Sequence, residues 1–224
     1  MHGSLPIAPS LRTGNHLLRL LGTTADSALS NQARERRFAP GEPLPAAEGT
    51  TALVWFPDTM VARVTLTTCG RSTAIGLVGP ESLIGGDALL GRAEAIAASA
   101  VMRGGVARGM PLTTLRRLCA DHPVFRQGVF GACLAFGLET ARLLDSALHD
   151  SGEQRLVRWL LMLDERAGGG PLVVTHQELA SWAGLRRASV TDCLHLLEGD
   201  HLVRCERGRV IVRDRARLSA RLGD

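Results

Sequence analysis

Residues 175–198 admit few folds. Thr175-His176-Gln177-Glu178 has the form of a capping box, Thr at the N-cap and Glu three residues on. Leu179-Ala180-Ser181-Trp182-Ala183 continue the helix, and Gly184 is the natural left-handed residue at its end. A second helix is predicted from Arg186 to Glu198, with Val190, Leu194 and Leu197 at i, i+4 and i+7 on its buried face. Arg187, Thr191 and His195 share the opposite face, with Ala188 beside them. Two short helices joined by a glycine turn, the second headed by arginines, make a helix-turn-helix arrangement. Leu202–Cys205, the turn Glu206-Arg207-Gly208 and Arg209–Val212 then form a hairpin. Residues 203–217 hold six arginines against two acids, so this stretch alone carries a charge equal to the +4 of the whole chain. A basic hairpin behind such a helix pair is an electrostatic footprint for duplex DNA. The competing reading is a helical hairpin that contacts protein.

Upstream the texture differs. Residues 1–14 read as a loose arm, with short helices expected at His16–Leu21 and after the cap sequence Thr23-Thr24-Ala25-Asp26. From Arg37 to about Met110, β-type segments alternate with turns: Leu53–Phe56, Met60–Thr67, Ser72–Leu77, Ala98–Met102 and Val106–Met110. Strands of this length at this spacing imply an antiparallel barrel, roll or sandwich. After Pro111 the period becomes helical, with a short helix at Thr113–Ala120 and a much longer one beginning at Asp121-His122-Pro123. Phe125, Val129, Ala132, Phe136, Thr140, Leu143 and Ala147 form one stripe on this helix of roughly 28 residues, about 40 Å long. A helix of that length overshoots a small domain, so part of the stripe is expected to pair with its counterpart in a second copy, the competing reading being a long core helix buried wholly within one chain. Ser151 and Gln154 make another capping box ahead of Leu156, Trp159, Leu160 and Leu163, and Gly168-Gly169-Gly170-Pro171 ends that helix.

Composition narrows the function classes. At 224 residues and 45% hydrophobic, the chain has enough apolar material for a core. Neither a membrane-spanning run nor a signal-peptide h-region is evident, and no membrane partner is expected. Cys69, Cys119, Cys133, Cys193 and Cys205 are scattered and never form a CxxC pair. That pattern argues against a disulfide scaffold or zinc knuckle and fits a reducing cytoplasm. All 26 basic side chains are arginines, so every fixed positive charge is a planar fork. Catalytic signatures such as GxSxG, Walker A or HExxH are lacking, so an enzyme is not expected.

The stretch from Glu153 to Leu218 resembles the C-terminal region of the Crp/Fnr transcription regulators. WFPDTMVARVTL through VGPESLIGGDALLG is similar to their β-roll, and residues 121–150 to their dimerisation helix. The resemblance implies an α+β chain in three parts. Residues 1–120 would form an antiparallel, cyclic-nucleotide-binding-like β-roll with N-terminal helices, 121–150 a dimerisation helix, and 151–224 a winged helix-turn-helix. It further implies a homodimer on an imperfect palindrome of double-stranded DNA, with RNA polymerase as a partner if the protein activates. Arg187 matches the family's base-reading arginine. Ala188 and Asp192 stand where a glutamate and an arginine are usual, so a different half-site is expected. His176, Gln177, Arg186 and Ser189 match phosphate-contact positions, and Thr191, Arg207 and Arg209 complete the expected DNA surface.

The same resemblance places an effector site at Gly85, Gly86, Asp87 and Ser99, with Arg92 or Arg103 as the cation only on a different loop path. Gly86 stands where nucleotide-responsive members carry glutamate, and no arginine precedes Ser99. A buried phosphate without a cation is poorly compensated, so ordinary cyclic-AMP binding is not expected. An iron–sulfur cluster lacks its N-terminal cysteines, since the first is Cys69. For haem, His16, His122 and His149 are isolated. A zinc site at Cys193 and His195 is disfavoured because i and i+2 on a helix point apart. No cofactor or metal is therefore expected.

Overall fold

The computed structural model describes residues 14–21, 33–44, 53–90 and 98–223. The helix expected after Asp26 and the side chain of Arg92 lie outside them. A one-turn helix, α1 (His16–Arg19), leads into seven strands: β1 (Arg34–Phe38), β2 (Pro43–Leu44), β3 (Leu53–Pro57), β4 (Val61–Thr68), β5 (Arg71–Val78), β6 (Ala98–Arg103) and β7 (Gly105–Pro111). They form two antiparallel sheets, ordered β1-β7-β3 and β2-β6-β4-β5. Between the sheets lies a core of Phe38, Trp55, Met60, Ala62, Val64, Val78 and Val101. Phe38 meets Trp55 edge-on, with ring centroids 5.0 Å apart. Gly105 is required by its surroundings: a Cβ there would come 2.7 Å from the backbone nitrogen of Met60.

Helix α2 (Leu112–Asp121) and the 27-residue α3 (Pro123–His149) follow, with Pro123 in the first turn, where its missing N–H costs nothing. Asp150 ends α3, Ser151 opens α4 (Gly152–Ala167) with a complete capping box, and Gly168 stops it at φ 65°. The last unit comprises β8 (Pro171–Val173), α5 (His176–Ala183), α6 (Arg187–Gly199), β9 (Val203–Glu206), β10 (Arg209–Val212) and α7 (Arg215–Ser219). Its three strands are ordered β8-β10-β9. Its core gathers Leu156, Leu160, Leu179, Val190, Leu194, Leu197, Val210 and Leu218, and Leu77 of β5 joins the same cluster. The roll and the helical unit therefore share buried surface. The antiparallel α+β architecture with a winged helix-turn-helix is as expected.

The α3 stripe expected to need a partner over part of its length is buried at Phe125 and Val129, half-buried at Ala132, Phe136, Thr140 and Leu143, and exposed at Ala147. Phe125 and Val129 are 0% exposed, packed with Phe56 and Leu115, and Ala132 borders the same cluster. The Phe136 ring fills the space beside Gly76, where a Cβ would come within 2.6 Å of it. Thr140 donates its hydroxyl hydrogen bond to the Ile75 carbonyl (3.0 Å), and Leu143 packs against the core of the helical unit. α3 carries two apolar faces, and helical period alone cannot say which one the roll covers. The other face holds Phe130 (50% exposed), Leu134 (65%), Leu144 (63%) and Leu148 (70%). With Gly137 and Ala141, both exposed, these residues recur at spacings of four, three, four, three and four, a heptad seam.

Candidate nucleic-acid interface

The helix pair is positioned by local chemistry first. Thr175 accepts a hydrogen bond from the Glu178 N–H while Glu178 accepts from the Thr175 N–H, closing the capping box that starts α5. Gly184 ends it at φ 63°, and the Leu185 N–H reaches back to the Ala180 carbonyl (2.9 Å). The turn is anchored from beneath, because Trp159 of α4 donates to the Trp182 carbonyl (3.1 Å) and the two indoles lie 5.6 Å apart. Val190, Leu194 and Leu197 are fully or almost fully buried, so α6 can present only its other face to solvent.

That face holds the expected residues. Arg186 is the N-cap of α6 and makes no side-chain capping bond, and Arg187 is the first helical residue. Both are exposed, as are Ala188 and Asp192, while Ser189 and Thr191 are half-buried. Gln177 is exposed on the first turn of α5. On the wing, Arg207 and Arg209 flank Gly208, whose φ of 70° forms the hairpin turn, and both arginines are exposed. The uncapped N–H groups of α6 and the arginines around them form one electropositive surface, suited to backbone phosphate.

His176 is tied into this surface rather than free on it. Its Nδ1 lies 2.9 Å from Thr191 Oγ1, which donates to the Arg187 carbonyl (3.1 Å). Partial burial, then the nearby Arg187 and His195, hold the imidazole below the ordinary histidine value. This bond between the two helices was not legible in the sequence, although all its members were candidates.

The expected effector turn is seen in part. Gly85 has φ 86° and leads into a 3-10 turn over Gly86–Leu90 that includes Asp87. A Cβ on Gly86 would sit 3.2 Å from Cys133 Sγ, which places the turn against α3. Ser99 lies in β6 opposite Val64 and Leu44. Arg103, a conceivable substitute for the missing cation, is engaged elsewhere, donating to the Ala167 carbonyl at the end of α4. Among the described residues, no group of three or more His, Cys, Asp or Glu is placed to hold a metal ion.

Residues 154–221 match the family model of the Crp-like helix-turn-helix domain. A cyclic AMP receptor protein from Thermus thermophilus is 34% identical over 155 residues, covering 66% of this chain and 69% of that protein. The chain belongs to the Crp/Fnr family of transcription regulators. Solved structures agree on the fold. A Crp/Fnr-family transcriptional regulator from Thermus thermophilus superposes with a TM-score of 0.69 at 20% identity, over 85% of this chain and 99% of that one. The c-di-GMP-responsive global regulator CLP of Xanthomonas campestris gives 0.66 at 16% identity, over 83% and 96%. These relatives are regulators rather than enzymes. Among the described residues, no helix is long and apolar enough to cross a membrane.

Within the Crp/Fnr frame, two features escaped sequence reasoning. One is the outer seam of α3, whose heptad spacing was available to be counted. The other is a set of links between the roll and the helical unit. Arg63 of β4 places its guanidinium 5.6 Å from the centre of the Trp182 ring. Arg166 of α4 bonds Glu81 (2.9 Å) and Glu139 of α3 (2.6 Å). No local signal marks either link, because each partner comes from a different element.

Proposed function

We propose that this Crp/Fnr regulator is a homodimer, joined along the outer seam of α3, that reads a pseudo-palindromic site on double-stranded DNA. The observation that carries the reading is Arg187, fully presented at the open N-terminus of α6 on a helix whose opposite face is buried. An arginine fork so placed can engage O6 and N7 of a guanine in the major groove. Arg186, Ser189, Gln177 and the wing residues Arg207 and Arg209 contact the backbone, while Ala188, Thr191 and Asp192 shape which bases are accepted. Ala188 cannot accept from cytosine as a glutamate would, and Asp192 accepts rather than donates, so the half-site differs from that of members carrying Glu and Arg there.

In this reading residues 1–120 act as the sensor, 121–150 as the dimer helix and 151–224 as the DNA reader. The work is done in the cytoplasm, with RNA polymerase as a further partner if the outcome is activation. The sensor does not hold cyclic AMP in the ordinary way, since Gly86 offers no carboxylate to a ribose. That the Xanthomonas relative responds to c-di-GMP is consistent with a different effector on the same fold.

Selection of binding sites from a random duplex library, using purified protein, tests the proposal. The expected result is a two-fold symmetric motif with half-sites about one helical turn apart. Binding should weaken steeply as salt rises. Sites without symmetry, or no binding at low salt, would overturn it.

A further inference from the structure

The hydrogen bonds around His176 fix more than its position. The Arg187 carbonyl can only accept, so its 3.1 Å contact with Thr191 Oγ1 is a hydrogen bond only when the hydroxyl proton points to it. Both contacts of Thr191 are then satisfied together only if His176 Nδ1 carries a proton and donates to Oγ1. This leaves Nε2, across the ring, as the basic nitrogen. The charged and titratable groups that act on the ring are Arg187 and His195, both from α6 and neither an anion. On its own helix, Glu178 is the acidic residue of the first turn, and its carboxylate is occupied by the Thr175 N–H and hydroxyl (2.8 Å each). The imidazole thus sits in a cationic surface whose missing partner is an anion. The residue is half-buried, on the first turn of α5.

We propose that His176 couples binding of duplex DNA to uptake of a proton: Nδ1 brackets α6 through Thr191, and Nε2 is protonated when a backbone phosphate reaches the first turn of α5. The inference rests on the DNA-reading role proposed above and adds a regulation to it. In the free protein, partial burial first, then Arg187 and His195, disfavour a positive ring and hold His176 below the ordinary histidine value. A phosphate reverses the balance, since an anion close to the ring favours the imidazolium and converts a neutral contact into a charge-assisted hydrogen bond. His176 is in this account a positioning residue as well as a phosphate contact, because protonation leaves the Nδ1 donor in place and the bracket on Thr191 intact. Affinity for DNA therefore rises as the pH falls, and the effect is independent of base sequence.

The experiment measures binding of the full chain to random-sequence duplex DNA, at fixed salt, across the window of about pH 5.5 to 8 in which histidine changes charge. Wild type is compared with His176→Gln and His176→Arg. A difference of about one pKa unit between free and bound states gives about tenfold per site. Wild type should accordingly bind about tenfold or more tightly at the acid end, beyond whatever change His176→Gln shows. His176→Arg, charged throughout, should bind near pH 8 about as tightly as wild type does near pH 5.5, with no added slope. A wild-type profile no steeper than that of His176→Gln, in protein that does bind DNA, overturns the inference alone. Absence of DNA binding at every pH and at low salt overturns the DNA-reading role itself. His195→Gln is the further control: loss of the slope there, with its survival in His176→Gln, assigns the proton to His195 and also refutes the proposal.

Discussion

At the residue scale, the same side-chain type does different work according to what surrounds it. Arg187 is exposed and ends in no ion pair among the described residues, so its removal costs the fold little. Arg187→Ala should weaken binding to the selected site by about 1–3 kcal/mol and relax preference at one base position, while thermal unfolding stays unchanged. Asp150 is the converse case, a carboxylate at the joint between α3 and α4 that serves structure. It accepts from Ser146 Oγ (2.5 Å) and from Arg158 (2.8 Å). The Ser146 hydrogen bond first, then that of Arg158, hold it below the ordinary carboxylate value. A depressed pKa stabilises the fold above the unfolded-state value and loses that contribution as the pH falls through the folded-state value. Asp150→Asn should therefore lower stability at neutral pH, with the gap from wild type closing in acid below about pH 4, read by urea unfolding at several pH values.

At the element scale, α3 carries two apolar faces with different surroundings. One face packs inward, Phe125 to Thr140 on the roll and Leu143 on the helical unit, and the other carries Phe130, Leu134, Leu144 and Leu148 in solvent. A seam of exposed leucines at heptad spacing on a 27-residue helix has the form of a two-stranded coiled coil. The two faces give opposite expectations for the same kind of substitution. Leu134→Glu should produce folded monomers in sedimentation, because it charges the seam without touching the core. Phe136→Glu should instead destabilise the subunit by about 3 kcal/mol or more, since its ring is seated against Gly76 of β5. A Leu134→Glu protein that remains dimeric would refute the seam.

At the scale of the whole molecule, the roll and the helix-turn-helix unit are joined by side chains that bridge them. Leu77 belongs to the core of the helical unit, Arg63 stacks over Trp182 directly beneath the helix pair, and Arg166 joins β5's following turn to α3 and α4. Arg63 Nε and Trp182 Nε1 are both buried without a hydrogen-bond partner, which leaves the ring contact to hold them. These links tie the roll physically to the unit that carries the helix pair. Arg166→Met should cost about 2 kcal/mol, since it strands Glu139 in a partly buried site, while the more exposed Glu81 contributes less. It should also increase protease cleavage near the Gly168-Gly169-Gly170 turn, where α4 ends.

The helix-turn-helix and its wing were legible from the sequence because their determinants are local. The capping pairs Thr175/Glu178 and Ser151/Gln154, the left-handed Gly184 and the Val190–Leu194–Leu197 spacing each act within a few residues. The strand-sized segments and the existence of a long helix were legible for the same reason. The facing of α3 was not, because both its sides are apolar and only the shape of the roll, with Gly76 leaving room for Phe136, decides which is covered. Nor were the contacts of Arg63, Arg166 and His176, which depend on where folding brings elements far apart in the chain. The sequence by itself determined which elements form and which arginines stand at a helix tip. Tertiary structure decided which apolar face of α3 stays exposed, since burial is a property of neighbours in space rather than along the chain.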